Sequence, residues 1–408
     1  MSTSTDPGYF FQTSTSLAEN DRKARKSSNT FGDPIKFPSK LLAISPNQYL
    51  NASGTSALVA QADGSTSVIN ISGGEIRRIG RSAQAPITCV TSYGGRLSFD
   101  NNATTQSVFA GGWDKYVTHF TLGQKGLEAA STVAQASFKA HADFVKCLLI
   151  AQTPDKQMVL LSGGADGDVN IWTFEGHRLA CLKAQSRGVE CIALDPFSNP
   201  ESPRIFFSTS QREIYNFILP ASSAMSGAIQ ISDPIIQHDT SVYKLEFDDD
   251  GDLWTASADK SAKRLVRENN FTADTTLAHP DFVRDIVIHG PSSLAVTACR
   301  DEEIRVWDTG STQLMHIFSG HFEEVTGLAL TGTTLLSVSI DATLRKWSLA
   351  PADLKKAIED VKSPALLEEK PEPKNDFGAL TEEEEAELRA LMEGEESEAL
   401  EKMARDEQ

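Results

Sequence analysis

Short runs of alternating apolar and polar residues fill the chain from Leu41 to about residue 350. The alternation is visible in Val169-Asn-Ile-Trp172 and in Leu245-Glu-Phe247, and Gly, Asp and Asn divide one run from the next. Alternation with a period of two places one face of a strand in a core, and no long helical period separates these runs. The pattern predicts all-β structure built from many short strands.

Four polar or aromatic residues return along these runs at nearly fixed offsets. A His precedes an apolar run, a Ser or Thr follows, and an Asp and a Trp come four and ten residues after that hydroxyl. A repeat of roughly 40 to 50 residues with such content is a signature of a β-propeller. Three sets, here called tetrads, are complete: His141, Ser162, Asp166, Trp172; His279, Thr297, Asp301, Trp307; and His321, Ser337, Asp341, Trp347.

When the chain is aligned on the Asp of each tetrad, it divides into seven units, of which four are incomplete. The fifth unit keeps His238, Thr255 and Asp259 but has Leu265 in the Trp position. The fourth has Arg212 in place of the Asp, and the second has Phe120 in place of the Trp. The first unit, from about Leu41 to Ile79, lacks both His and Trp.

The chain resembles WD40-repeat proteins over about 310 of its 408 residues. The likeness rests on the tetrads, on the pairs Trp307-Asp308 and Gly320-His321, and on two near copies that begin at His141 and His279. The resemblance implies a seven-bladed propeller in which each unit supplies one outer strand and three inner strands of the next blade. The last blade then needs an outer strand from elsewhere, and Ile35-Lys-Phe-Pro38 is the favoured donor, with Tyr9-Phe-Phe11 as the alternative.

The resemblance also assigns the tetrads a structural role. The Asp would lie in the tight turn between two strands and accept hydrogen bonds from turn amides and from the His, while the hydroxyl and the indole extend the line. The Ser162, His141 and Asp166 set could be read as a hydrolase triad. However, the set recurs in every well-formed unit, and no Gly-x-Ser-x-Gly elbow accompanies it. We therefore expect no catalytic residue, and no phosphate, metal or cofactor motif is recognisable.

Composition and charge together divide the chain into four regions. Net charge is −18, of which −11 falls between Pro351 and Gln408. We expect a disordered segment at 1–33, the propeller at 34–350, a short helix and linker at 351–375, and an acidic, partly helical tail at 376–408. A basic run, Arg22-Lys-Ala-Arg-Lys26, is either a nuclear-import signal or a solvated cluster. The net negative charge argues against general nucleic-acid binding.

The five cysteines show no Cys-x-x-Cys pairing and lie in or beside apolar runs, which favours buried free thiols over disulfides or a zinc site. No stretch approaches the ~20 apolar residues of a membrane span, and no signal peptide is recognisable. These features predict an intracellular protein, in the cytoplasm, the nucleus or both.

Side-chain alternation locates a candidate binding face. If Val145, Val242, Val283 and Val325 point into their blades, their neighbours point toward the mouth of the central channel, and the family places the residue before each turn Asp nearby. Aromatic and Arg side chains are enriched at interfaces. Phe144 and Phe282 could instead only fill gaps between blades. The candidate partner-binding residues are Trp113, Phe144, Lys146, Tyr243, Phe282, Arg284 and Arg300.

The tail offers a second candidate. Thr381 could cap a helix on which Leu388, Leu391 and Met392 form a short apolar stripe, either in a disordered segment or as a docking motif.

We expect a non-catalytic scaffold that binds proteins within an intracellular hetero-complex, either a nuclear complex or one that assembles ribosomes. One alternative is a non-catalytic subunit of an RNA-modifying complex of the tRNA-methyltransferase type, which would need a basic stripe such as Lys260, Lys263, Arg264 and Arg267. The other is an adaptor in ubiquitin-linked or signalling machinery. Trp307-Asp308 continues as Thr309-Gly310, so the Trp-Asp-x-Arg motif of many ubiquitin-ligase receptors is absent.

Overall fold

Seven four-stranded antiparallel sheets make up the fold, each one blade of a ring. The predicted all-β, seven-bladed propeller is confirmed. The structure, a computed structural model, describes residues 22–24, 26–46, 56–82, 85–94, 106–122, 136–184 and 186–362.

Within a blade, the strands follow chain order from the innermost to the outermost. Blade 1 contains β2 (Leu41–Pro46), β3 (Ser56–Gln61), β4 (Ser65–Asn70) and β5 (Ile76–Arg81). Blade 2 contains β6 (Ile87–Gly94), β7 (Gln106–Gly112), β8 (Tyr116–Leu122) and β9 (Ala136–Lys139). Blade 3 contains β10 (Val145–Gln152), β11 (Met158–Gly164), β12 (Asp168–Trp172) and β13 (Arg178–Lys183).

The remaining blades repeat this order. Blade 4 contains β14 (Val189–Leu194), β15 (Arg204–Thr209), β16 (Glu213–Ile218) and the short β17 (Ile235–Ile236). Blade 5 contains β18 (Val242–Phe247), β19 (Leu253–Ser257), β20 (Ser261–Val266) and β21 (Thr272–Ala278). Blade 6 contains β22 (Val283–His289), β23 (Leu294–Cys299), β24 (Glu303–Asp308) and β25 (Leu314–Ser319).

Blade 7 closes the ring with strands from both ends of the described chain. It contains β26 (Val325–Thr331), β27 (Thr334–Ser339), β28 (Thr343–Ser348) and, as its outer strand, β1 (Ile35–Lys36). β1 pairs with β28 in the register Ile35 to Leu344, which is the run that the sequence favoured as donor. Tyr9-Phe-Phe11 lies outside the described residues. The innermost strands β26 and β2 of the neighbouring blades 7 and 1 pack together, which completes the ring.

The innermost strands share one irregularity that sets up the binding face. The first residue of each is buried, and Val145, Val242, Val283 and Val325 are all 0% exposed, as expected. In every blade the pairing register then shifts between the first and third residues of that strand. A bulge leaves one residue outside the ladder and re-aims its side chain. The second residue of each innermost strand is therefore turned out of the blade.

An N-terminal strap with defined long-range contacts lies within the segment 1–33; the disorder expected for the rest of that segment lies outside the described residues and stays a prediction. The strap, residues 22–24 and 26–33, lies along the junction of blades 6 and 7. The Asn29 side chain donates to the Gly320 carbonyl at 2.8 Å, and the Gly32 carbonyl accepts from the Lys346 amide at 2.6 Å. Gly32 has a φ of +70°, and a Cβ there would meet the Trp347 ring at 2.7 Å, so the position requires glycine. Composition alone missed these long-range partners.

A C-terminal helix follows β28, as the sequence predicts. It spans Pro351–Lys362, and Leu354 packs with Ile358 against the apolar cluster that includes Trp347. The two residues are one helical turn apart and so share a face. The compact unit that holds the propeller runs to Ile358, eight residues beyond the predicted domain end. The linker to 375 and the tail motif Leu388, Leu391 and Met392 lie outside the described residues and stay predictions.

All five cysteines are free thiols. Cys89 and Cys299 are buried, whereas Cys181 is exposed because it lies on β13, the outermost strand of blade 3. Across the described ranges, no group of His, Cys, Asp and Glu could hold a metal ion. No helix in the described part of the chain is long and apolar enough to cross a membrane.

Candidate interaction face

The tetrads of blades 3 and 7 form continuous hydrogen-bond networks. In blade 3, His141 Nδ1 lies 2.9 Å from Asp166, and Nε2 lies 2.8 Å from the Ser162 hydroxyl, which accepts from the Trp172 indole at 2.9 Å. Blade 7 repeats the order through His321, Asp341, Ser337 and Trp347, with contacts of 2.9, 2.8 and 2.9 Å. Blade 5 keeps both contacts of His238, to Asp259 and Thr255, each at 2.7 Å.

Blade 6 departs from the expected network. His279 donates from Nδ1 to the Leu277 carbonyl at 3.0 Å. The Asp301 carboxylate instead accepts hydrogen bonds from Arg305 Nη1 at 3.1 Å and Nη2 at 2.5 Å. The His279, Thr297 and Trp307 contacts survive, at 2.8 and 3.0 Å. The predicted His–Asp contact is therefore wrong here, because a bidentate arginine fork outcompetes an imidazole for one carboxylate. Burial, without a carboxylate partner, lowers the pKa of His279 to about 4.

These networks are buried supports. Ser162, Thr297 and Ser337 are 0% exposed, and each hydroxyl is held between a His ring and a Trp indole. In blade 7, burial works to raise the pKa of Asp341, but hydrogen bonds from His321 and Thr343 hold it below its ordinary value. A nucleophile needs access to substrate and a free direction of attack. None of the three hydroxyls has either.

A backbone hydrogen bond repeated in all seven blades builds the rim of the candidate face. The residue at the start of each turn between the second and third strands donates its N–H to the carbonyl of the residue before the innermost strand. The bond fixes two neighbouring loop positions in every blade, which is how a rigid scaffold presents variable loops. The seven N···O distances span 2.8–3.1 Å: Ala62 to Lys40, Trp113 to Pro86, Ala165 to Phe144, Ser210 to Gly188, Ala258 to Ser241, Arg300 to Phe282, and Ile340 to Glu324.

Two predicted face residues form an exposed aromatic stack between blades 2 and 3. The Trp113 and Phe144 rings lie 5.2 Å apart at an interplanar angle of 19°. Trp113 is 49% exposed and Phe144 is 38% exposed, so Phe144 contacts a neighbouring ring and solvent together instead of filling an inner gap. Exposed, pre-stacked aromatic rings offer a partner large apolar area at low entropic cost.

Blades 5 and 6 bring four further predicted residues together in two pairs. The Arg284 guanidinium lies 4.6 Å from the centre of the Tyr243 ring, and Arg300 lies 5.3 Å from that of Phe282. Both separations fit cation–π attraction. Burial raises the pKa of the Tyr243 hydroxyl, which keeps it protonated as a hydrogen-bond donor near neutral pH.

The cations of the face differ in what they already bind. Arg284 pairs with Glu324, and the seventh predicted residue, Lys146, pairs with Glu190 of blade 4. Arg300 is exposed and has no carboxylate partner among the residues that the structure describes. The sequence could have found Glu190, because it follows Val189 as Lys146 follows Val145, but only the fold shows that it neutralises Lys146.

The family named "WD domain, G-beta repeat" (WD40) matches residues 133–173, 272–308 and 312–348. An uncharacterized WD repeat-containing protein of Schizosaccharomyces pombe is 29% identical over 352 residues, covering 84% of this chain and 89% of that protein. Kinesin-like protein klp-12 of Caenorhabditis elegans is 25% identical, covering 62% of this chain and 17% of its own length. Striatin-4 of Mus musculus is 24% identical, covering 52% of this chain and 29% of its own length.

The closed ring and its buried tetrads define a seven-bladed β-propeller similar to those of WD40-repeat proteins, a fold that generally serves as a non-enzymatic interaction scaffold. The three matched segments contain the three complete tetrads, so the chain carries WD40 repeats at three positions within a seven-bladed β-propeller.

Proposed function

We propose that the protein is a non-catalytic scaffold that binds a protein partner across the mouth of its central channel. The observation that carries the proposal is the exposed Trp113–Phe144 stack on the hydrogen-bonded rim. Arg300 stands on the same rim in blade 6, across the channel, with its guanidinium available to a carboxylate. The proposed partner segment therefore presents an apolar side chain to the stack and an acidic group to Arg300.

Two features support a non-catalytic role. Each Ser/Thr–His arrangement is buried and repeated around the ring, so none is distinguished as a reaction centre. The remaining face residues are aromatic rings and charged side chains already matched in pairs, an arrangement suited to recognition.

The RNA-subunit alternative loses its main support. Three of the four cations in the expected stripe bind carboxylates or a carbonyl: Arg264 pairs with Asp274, Arg267 with Asp195, and Lys263 donates to the Gln237 carbonyl. Phosphate binding needs cations that can exchange counterions for the backbone. Salt-dependent RNA binding that disappears on reversing these four charges would restore this alternative.

The test is affinity purification with quantitative mass spectrometry, using the full chain and face variants. Trp113→Ala/Phe282→Ala/Arg300→Ala removes the stack, one cation–π pair and the available cation. Ile218→Ala is the matched control, because Ile218 is 44% exposed but lies where β16 ends, at the opposite end of blade 4. A chain ending at Lys362 tests the tail while keeping the packed C-terminal helix.

We expect the affinity of the triple variant for its direct partner to fall at least about tenfold, which corresponds to ~1.4 kcal/mol of binding free energy. The control keeps the partner. Retention of every partner by a folded triple variant excludes this face. If the partner is lost only from the chain truncated at Lys362, the tail and not this face is the binding site.

The finer assignments belong to this proposal too. A nuclear or ribosome-assembly complex, ubiquitin-linked or signalling machinery, and an RNA-modifying complex differ in the partners they would deliver, so the same purification distinguishes them. We place the protein in the cytoplasm, the nucleus or both. Imaging of the tagged full chain tests this location, and accumulation in a membrane-bound organelle other than the nucleus would contradict it.

A further inference from the structure

The strap carries a basic run onto an acidic site of the propeller. Arg22 donates to both carboxylate oxygens of Glu302, at 2.6 and 2.7 Å, and Lys26 reaches Glu302 and Glu303 at 3.0 Å each. Lys23 pairs with Glu323 at 3.0 Å. Glu302 lies in the turn between β23 and β24, Glu303 begins β24, and Glu323 lies in the loop before β26. The strap therefore reaches the same rim as the candidate face, at blades 6 and 7.

The contact is more than a loose surface ion pair, because the Glu302 side chain is only 6% exposed. A nearly buried carboxylate is stable only while cations and hydrogen bonds compensate its lost hydration. Arg22 and Lys26 supply that compensation. The docked state of the strap thus depends on the charge balance between these two cations and the glutamates.

Two serines follow the basic run directly and are exposed. Ser27 donates its hydroxyl to the Ala24 carbonyl at 2.8 Å, at the end of the helical residues 22–24 and 26–27. Ser28 is the next residue, with Arg25 three positions before it. Basic residues just upstream of an exposed serine form the charge pattern that an acidic kinase cleft selects.

We propose that Ser27 and Ser28 form a phosphorylation site for an arginine-directed protein kinase, and that phosphorylation detaches the strap from blades 6 and 7. The serine Oγ forms a bond to the γ-phosphorus of ATP, and the bond from that phosphorus to the bridging oxygen breaks, so ADP leaves. The hydroxyl proton passes to the base of the kinase. Each phosphate adds a charge of about −1.5 to −2 at neutral pH.

Three effects of the phosphate act in the same direction. It lies one helical turn from Lys23 and next to Lys26, so it competes with Glu323, Glu302 and Glu303 for their cations. It repels the same glutamates. It also places negative charge at the C-terminal end of a helical segment and removes the Ser27 hydroxyl donor, both of which destabilise that segment.

Detachment leaves the ring closed. β1 keeps its pairing with β28, and Phe37 keeps its backbone bond to Ala342 at 2.9 Å. The consequence is local: the released strap frees its basic run for other acidic partners and uncovers Glu302 and Glu303 beside Arg300 on the rim.

The experiment phosphorylates the purified full chain with the catalytic subunit of cyclic-AMP-dependent protein kinase and ATP, and locates the phosphate by mass spectrometry. Hydrogen exchange of the amides at residues 26–33 then reports docking. We expect stoichiometric phosphate on Ser27 or Ser28 and exchange that is at least about tenfold faster, with unchanged protection of β26 and β27. Single Ser27→Ala and Ser28→Ala variants identify the acceptor.

Two controls make every outcome decisive. Ser27→Ala/Ser28→Ala must show neither phosphate nor faster exchange, and unphosphorylated Glu302→Gln/Glu303→Gln must show the faster exchange of a released strap. A free peptide of residues 18–32 confirms that the kinase accepts the sequence. Modification of the peptide but not of the full chain overturns the proposal. So does a phosphorylated chain whose strap exchanges as slowly as before.

Discussion

Blades 6 and 7 both carry a complete tetrad with the Asp and Trp four and ten residues after the hydroxyl, and each has an arginine four residues after its turn aspartate. In blade 6, Arg305 turns to Asp301 and leaves His279 with the Leu277 carbonyl. In blade 7, Arg345 turns away to Asn29 at 2.7 Å and to the Phe31 carbonyl, and Asp341 stays with His321.

The strap and one local substitution account for the difference. It offers Arg345 a side-chain amide and a carbonyl, whereas the described structure shows Arg305 bound to Asp301 on its own strand turn. Glu303 also replaces the hydroxyl that Thr343 donates to the aspartate of blade 7, so Asp301 is short of a donor and accepts the arginine. The same tetrad and arginine positions thus give two networks, decided by one local difference and by a segment about 300 residues away.

The largest expected effect compares the two aspartates directly. Asp341→Asn should lower the free energy of unfolding by about 3 kcal/mol, because Asp341 is 0% exposed and holds a buried His. Asp301→Asn should cost about 1 kcal/mol, because Asp301 is 22% exposed and water replaces its ion pair. Denaturant unfolding followed by Trp fluorescence measures both. Equal losses would show that the two networks are energetically alike.

The next effect is a pH dependence specific to blade 6. The pKa of His279 is about 4 when folded and 6.5 in the unfolded reference, so the unfolded chain binds the proton first as pH falls. The contribution of neutral His279 to the free energy of unfolding is therefore complete above pH 6.5 and is lost as pH falls from 6.5 to 4, on the order of 3 kcal/mol.

Unfolding of the wild type and of His279→Gln across this window measures the contribution of His279. The variant should show a shallower loss of stability toward acid. His177→Gln, which alters an exposed His, should keep the wild-type slope. A His279→Gln slope identical to wild type would contradict the assignment.

Asn29→Ala should convert blade 7 toward blade 6. Arg345 loses its amide partner and turns to Asp341, which weakens the carboxylate contact of His321 and lowers its pKa further. We expect a cost of about 1 kcal/mol for the lost hydrogen bonds. Titration of the His321 ring by NMR measures the change, and Thr30→Ala, at the exposed next position, is the control. An unchanged His321 titration would show that the strap does not control the hydrogen-bond network of blade 7.

The smallest stability effect belongs to Arg305→Asn, which copies Asn170 of blade 3. Asp301 becomes available to His279, and the pKa of His279 should rise from about 4 toward 6.5. Stability should change by less than about 1 kcal/mol, since a pair is lost and another gained. NMR titration measures the rise, and Arg305→Asn/Asp301→Asn should abolish it. A rise that persists in the double variant would exclude Asp301 as its cause.

The sequence anticipated the parts of the molecule that repeat. Seven units, the buried valines and the tetrads of blades 3 and 7 all follow from residues at fixed offsets, because every blade solves the same packing problem. The helix after β28 was also predictable, since Leu354 and Ile358 signal one apolar face.

The parts that do not repeat were harder to predict. The contacts of Arg22, Lys23 and Lys26 were not predicted, because their glutamate partners come from blades 6 and 7. For the candidate face, the positions were predictable, but the pairing of Lys146 with Glu190 and of Arg284 with Glu324 was not. Both pairs join neighbouring blades, and a pattern within one unit contains no information about such contacts.

The sequence by itself determined the architecture of this protein: alternation defines the strands, and the spacing of His, Ser or Thr, Asp and Trp defines the blades. Only the tertiary structure decided the electrostatics, namely which cation each carboxylate binds, which His is left without one, and which face residue remains available. The physical reason is range. Most strand pairing and turn chemistry is settled within a few tens of residues, whereas pairs such as Lys146–Glu190, Arg284–Glu324 and Arg22–Glu302 join different blades or the strap, where burial makes each choice of partner costly to change.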